Sequence, residues 1–200
     1  MRRSLLLLGL LLGLLALLRP STLPTGVDAG TALRLDVPQL AERADLVLEG
    51  RVRSARGHQA ASGLIETEYE LEVDRTLHGE HQALRTLRVP GGVLPDGRGL
   101  LLPGMPRLLE GEEVLLFLSS ESTGGVRMPV GLSQGKFRVE TRLDGTRLLS
   151  RRHGSLTTIG AGGQLHDAAG DELFDYAETL AEVHAALARR RPGAPTREER

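Results

Sequence analysis

Residues 64–77, LIETEYELEVDRTL, alternate with strict period two. Ile65, Thr67, Tyr69, Leu71 and Val73 form one row, and Glu66, Glu68, Glu70, Glu72 and Asp74 form the other. A helix would scatter those acids around its circumference; a strand sends the apolar row to a core and the acidic row to water. Four of the five apolar-row residues are β-branched or aromatic, which suits a pleated, half-buried surface. A second alternating stretch, DLVLEGRVRS, sets Leu46, Leu48, Gly50 and Val52 against Val47, Glu49, Arg51 and Arg53. The polar residues 56–63 then read as the hairpin loop joining the two strands. In a third strand, 84–89, Leu87 and Val89 point inward and Thr86 and Arg88 outward.

Residues 114–118 are apolar at every position, so both faces of that strand need cover, as in the middle of a sheet. Residues 134–140 alternate again, and Asp144-Gly145 marks a tight turn into 146–150. Residues 124–130 read as a short strand or a loop, and Gly160 to Gly163 break the chain. Near the start, 31–36 is a tether or an edge strand. Residues 37–44 make two helical turns with Pro38 early, where its missing N–H costs nothing. Asp171 is placed as the cap of a helix over 171–190, with Phe174, Ala177, Leu180, Ala181, Val183, His184 and Leu187 on one stripe and Arg189 and Arg190 at the negative end. The fold expected is mainly β: a small OB-like antiparallel barrel of five to six strands with one C-terminal amphipathic helix, a single domain over 30–190.

Composition adds an address. Met1-Arg2-Arg3-Ser4 precedes fourteen uncharged residues of Leu, Gly and Ala, then Arg19 and Pro20. A basic start and an apolar run too short to span a bilayer read as a signal peptide over 1–29, cut after Ala29 or, as a rival, after Gly26. The expected location is periplasmic or extracellular, with no membrane contact after cleavage. Removing 1–29 leaves 22 basic and 25 acidic side chains, a slightly acidic chain. Cysteine is absent, which excludes disulfides, thiol nucleophiles and Cys-based metal sites and leaves packing alone to hold the domain. One lysine, Lys136, stands against 24 arginines, a skew that reads as base composition. Residues 191–200 form a polar tail expected to be disordered.

Candidate chemistry is weighed against that frame. Residues 90–106 hold five Gly and four Pro with no periodicity. A loop of that length in a compact domain is often functional, so it is the leading binding surface, with Gly91, Gly92, Asp96, Arg98 and Met105 as candidate contacts and Arg107 just beyond. The acidic row 66–74 could hold a cation, but carboxylates two apart on a strand lie roughly 6.6 Å apart while calcium wants oxygens at about 2.4 Å from several directions; arginine pairing is the simpler account. Gly131-Leu132-Ser133-Gln134-Gly135 matches the G-x-S-x-G elbow, with Asp144 and His153 or His166 following in hydrolase order. An elbow needs a helix after it, and here an alternating strand follows. His78-Gly79-Glu80-His81 has zinc-like spacing but sits at a strand end rather than on a helix. His58 reads as solvated and His184 as a boundary residue of the helix. Aromatic residues are 2% of the chain and its charge is acidic, which excludes a single-stranded nucleic-acid platform. No catalytic residue, metal or cofactor is assigned.

Three fragments, ADLVLEGRV (44–52), LEVDRTLHG (71–79) and GEEVLLFL (111–118), occur in the order and spacing of netrin-like domains, the group that includes tissue inhibitors of metalloproteinases. The chain resembles that group over roughly 44–118. The resemblance implies an OB-type barrel in an exported protein that binds another protein, such as an exported protease. The family's inhibitory site uses an N-terminal cysteine that is missing here, so no site residue carries over. The function expected is a non-catalytic binding domain; the alternatives are a hydrolase or metal-dependent enzyme using Ser133 or His78 and His81, or a structural part of the cell envelope.

Overall fold

The computed structural model describes residues 31–154, 156–160, 164–167 and 171–190. The predicted signal segment, the polar tail, residues 161–163 and the His166 side chain lie outside them. In chain order the elements are β1 (Thr31–Leu33), α1 (Val37–Arg43), β2 (Leu46–Gln59), β3 (Ile65–His78), β4 (Leu84–Pro90), β5 (Gly92–Val93), β6 (Gly99–Leu100), β7 (Glu113–Leu118), a 3-10 turn (Leu132–Gly135), β8 (Lys136–Thr141), β9 (Arg147–Arg152), β10 (Thr157–Ile159), β11 (Leu165–Asp167), β12 (Asp171–Asp175) and α2 (Tyr176–Arg189). The fold is mainly β with a C-terminal helix, as the periodicity predicts. Seven strands pair antiparallel in the order β12-β9-β8-β7-β2-β3-β4. The chain leaving β7 bridges back to the edge strand β4, where the Arg127 N–H donates to the Arg88 carbonyl at 2.9 Å. No helix among the described residues is long and apolar enough to cross a membrane.

The all-apolar strand sits where its pattern requires. β7 lies between β2 and β8, and Val114, Leu115, Leu116, Phe117 and Leu118 are each fully buried. Leu115 and Phe117 join one core with Val47, Phe137, Val139 and Leu149, covered by Leu40 and Ala41 of α1 and by Leu180, Val183 and Ala186 of α2. Val114, Leu116 and Leu118 face the other way into a second core with Leu48, Val52, Tyr69, Leu71, Val73, Leu87 and Val89, plugged by Leu108. The predicted inward rows of β3 and β4 are the buried ones.

Five boundaries and orientations differ from expectation. The β2–β3 hairpin is longer than predicted, leaving only 60–64 as loop, because Arg56 lies opposite Glu68 and His58 opposite Glu66; opposite charges across a ladder stabilise pairing. Glu66 is buried rather than in water. Glu49, placed on a polar row, is buried too. α2 begins at Tyr176 rather than Asp171, because 171–175 alternates and takes the free edge of β9 as β12. Its cap is Asp175, which accepts from the Glu178 N–H at 2.9 Å, while Asp171 pairs with Arg152. His184 is exposed, and the buried positions of α2 are Thr179, Leu180, Val183 and Ala186. Other expectations hold: Pro38 sits in the first turn of α1, β1 is an edge strand paired in parallel with β10, and the Asp144-Gly145 turn joins β8 to β9. The cap of α1, not among those expectations, is Asp36. Residues 124–130 form an irregular loop with isolated bridges.

Glu49 is 1% exposed and would be costly without partners. Arg147 and the Tyr176 hydroxyl each donate to it at 2.7 Å, and Arg75 lies 3.3 Å away. The cluster ties β2, β3, β9 and α2 together, with the Arg147 guanidinium 4.1 Å from the Tyr176 ring centre. Burial and the Glu49 carboxylate push the Tyr176 hydroxyl up to about 12. Tyr176→Phe should lower unfolding free energy by about 1.5–3 kcal/mol, the scale of a hydrogen bond to a charged group, measured by urea titration. Because the folded-state value lies above the unfolded value of 10.0, the tyrosine's contribution is intact below pH 10 and declines toward about 12. The Phe variant should therefore lose less stability than the parent across that window.

Candidate binding cleft

The loop after β4 is a built structure. Gly91 turns the chain at φ 94°, and β5 and β6 form a two-residue ribbon closed by a turn at 94–98. The ribbon lies directly on the β2–β3 hairpin, and two glycines allow it. A Cβ at Gly57 would stand 2.0 Å from the Val93 carbonyl, and one at Gly92 would stand 2.1 Å from the Thr67 hydroxyl. Thr67 in turn donates to the Gly91 carbonyl at 2.7 Å. Leu94 and Leu108 are buried as anchors on either side.

Between the loop and the strands lies a cleft of about 430 Å³. Its floor is Ala55, Gly57, Thr67 and Tyr69 of the hairpin, and its walls include Leu100, Leu102 and Met105. A cleft of this size and apolar character suits a small ligand or a ligand's apolar group. Among the described residues, Arg107 is the sole charged one lining it. Burial pushes the Tyr69 hydroxyl up, opposed by hydrogen bonding to the Leu108 backbone and Thr67 and by the Arg107 charge. At the rim, Val93 and Leu101 expose their side chains to solvent.

Of the loop residues singled out from sequence, Gly91, Gly92, Met105 and Arg107 line the cleft. Asp96 and Arg98 do not; they pair with each other at 2.9 Å at the exposed loop tip. Sequence reasoning missed Ala55, Gly57 and Tyr69, which come from the hairpin. The usable signal was Gly57, a strand glycine that marks close approach of another backbone.

The G-x-S-x-G match has a structural explanation. Gly131 opens the 3-10 turn at φ 66°, and a Cβ at Gly135 would stand 2.5 Å from the Val130 carbonyl. The central residue is Gln134, fully buried: its side chain accepts from the Leu35 N–H at 2.8 Å and donates to Leu33 and Gly131 carbonyls at 2.9 and 3.1 Å. It fastens β1 and the α1 entry to the sheet. The Ser133 hydroxyl donates to the His153 backbone carbonyl at 3.0 Å, and β8 rather than a helix follows. The His153 ring reaches Glu172, with Nε2 3.1 Å from the carboxylate, and Nδ1 is buried without a partner among the described residues. Asp144 accepts from the Thr146 N–H in the β8–β9 turn.

Ser133 and His153 share a second cleft of about 370 Å³ on the far side of residues 101–107. Lys136, also lining it, is paired with buried Glu112 at 2.8 Å, and burial holds its ammonium below the usual lysine range against the pull of that carboxylate. His78 and His81 do not converge on one point: His81 contacts the Thr76 hydroxyl at 3.1 Å, while burial and the Arg190 charge lower the His78 pKa. On the acidic row, Glu72 lies 3.8 Å from Arg53, and Glu70, Glu72 and Asp74 face solvent. Among the described residues no three His, Asp or Glu side chains come together as a metal site. Compared with known proteins, the chain matches no family model and no curated protein.

Two substitutions test this anatomy. Gln134→Ala, which strands a buried N–H and carbonyls, should cost about 2–4 kcal/mol, against roughly 1 kcal/mol for Ser133→Ala, compared by chemical denaturation. Gly57→Val should lift the ribbon, seen as faster amide exchange over residues 92–102 while β7 stays protected.

Proposed function

We propose that this protein is an exported, non-catalytic binding module that takes an apolar group of its ligand into the cleft between residues 90–108 and the β2–β3 hairpin. The observation that carries the reading is the cleft itself: apolar walls held open by a ribbon seated on Gly57, with Val93 and Leu101 exposed at its edge. Exposed apolar rims of this kind mark interaction sites. The resemblance to netrin-like domains supports a non-catalytic binding role, and the leader at 1–29 supports export.

The non-catalytic half of the reading is supported by the hydrogen bonding of Ser133. A serine nucleophile passes its proton to a neighbouring base, and this hydroxyl donates to a carbonyl, which cannot take it.

The test uses the uncharged fluorophore N-phenyl-1-naphthylamine. Its emission should rise on addition of the protein and fall back with Ala55→Trp, which fills the floor of the cleft on an exposed strand position, while the melting temperature stays within a few degrees. Equal emission with the parent and the Trp variant defeats the reading. A fluorophosphonate probe should leave Ser133 unlabelled; covalent labelling at that residue would restore the hydrolase alternative.

A further inference from the structure

The two clefts flank the same segment and differ in character. Among the described residues, the first has no charged lining residue except Arg107. The second is lined by Arg107, Lys136, Arg138 and Arg152 against Glu112, Glu140 and Asp171. Two of those cations are already neutralised: Lys136 by Glu112 at 2.8 Å, and Arg152 by Asp171 through a two-point pair at 2.8 and 2.9 Å. Arg107 and Arg138 have no acidic partner among the described residues. Against them stands one carboxylate, Glu140, which accepts from the Ser150 hydroxyl at 2.9 Å. The local balance favours an anion.

We propose that the ligand is an anionic amphiphile: an unbranched alkyl chain lies in the apolar cleft, and its carboxylate crosses the segment 101–107 to meet Arg107 and Arg138. This rests on the binding reading above and adds the chemistry of the ligand. An apolar group alone uses the first cleft and leaves both guanidinium groups unpaired. A simple anion uses the second and leaves Ala55, Tyr69 and Leu100, which line only the first, without contact. A molecule with both parts satisfies both, and Arg107, which lines the two clefts, stands where tail and head join. Guanidinium groups suit this role because their planar fork matches a carboxylate.

Isothermal titration of the full chain with decanoate and with 1-decanol at equal ionic strength tests the proposal. Decanoate should bind at least tenfold more tightly. The double variant Arg107→Ala with Arg138→Ala should lose that advantage, binding decanoate no more tightly than 1-decanol, while Ala55→Trp should lose both ligands. If the parent binds the two equally, or if the double variant keeps its preference for decanoate, the amphiphile proposal is overturned and the cleft remains a site for uncharged groups. If neither ligand binds the parent, the cleft reading fails with it.

Discussion

A run of five consecutive apolar residues in a strand cannot leave either face in water, and Val114 to Leu118 of β7 impose that condition on the rest of the molecule. Burial of a large aliphatic side chain contributes on the order of 1.5–3 kcal/mol, and β7 presents five such positions split between two cores. One face recruits the helices. α1 and α2 contact each other and lay Leu40, Ala41, Leu180 and Val183 over Leu115 and Phe117. Among the described residues no helix covers the other face. There the β2–β3–β4 strands and Leu108 do the work, so the long loop is drawn down onto the sheet. The cleft is the space left between that loop and the hairpin beneath it.

Polar groups fix what the apolar cores leave loose. Hydrophobic contact is non-directional, and a helix can slide over a sheet at little cost. The buried Glu49 carboxylate, met by Arg147, Tyr176 and Arg75, and the Glu172 carboxylate, met by Arg151 and His153, bind specific positions of distant elements. Burial and the Arg151 and His153 groups oppose one another at Glu172, and the partners win, holding that carboxyl below its usual range. Gln134 serves the same purpose without charge. These side chains have no thiols to assist them in setting the fold.

The functional reading follows from how loop and hairpin meet. The loop composition alone marked residues 90–106 as a surface of interest, and four of the six candidate residues line the cleft. Asp96 and Arg98 were misjudged because charged residues at a loop tip attract attention whether or not a concavity lies beside them; here they neutralise each other. The floor was invisible for the opposite reason, since Ala55 and Tyr69 are ordinary strand residues until a loop from further along the chain closes over them. The serine motif shows the same limit: its glycines answer a packing demand, and its indispensable member is the glutamine.

What the sequence determined by itself was everything governed by local period. Alternation placed β2, β3, β4 and β8 and the inward rows of β3 and β4. The unbroken apolar run placed β7 at the centre, Pro38 placed the start of α1, and the Asp144-Gly145 turn placed the β8–β9 hairpin. Tertiary structure decided what depends on partners far along the chain: the burial of Glu49 and Glu66, the capture of 171–175 as an edge strand before α2, and the meeting of residues 90–108 with Gly57. Period-two and helical patterns are short-range properties of a few consecutive side chains. A buried charge or a cleft exists only once segments distant in the chain exclude water together.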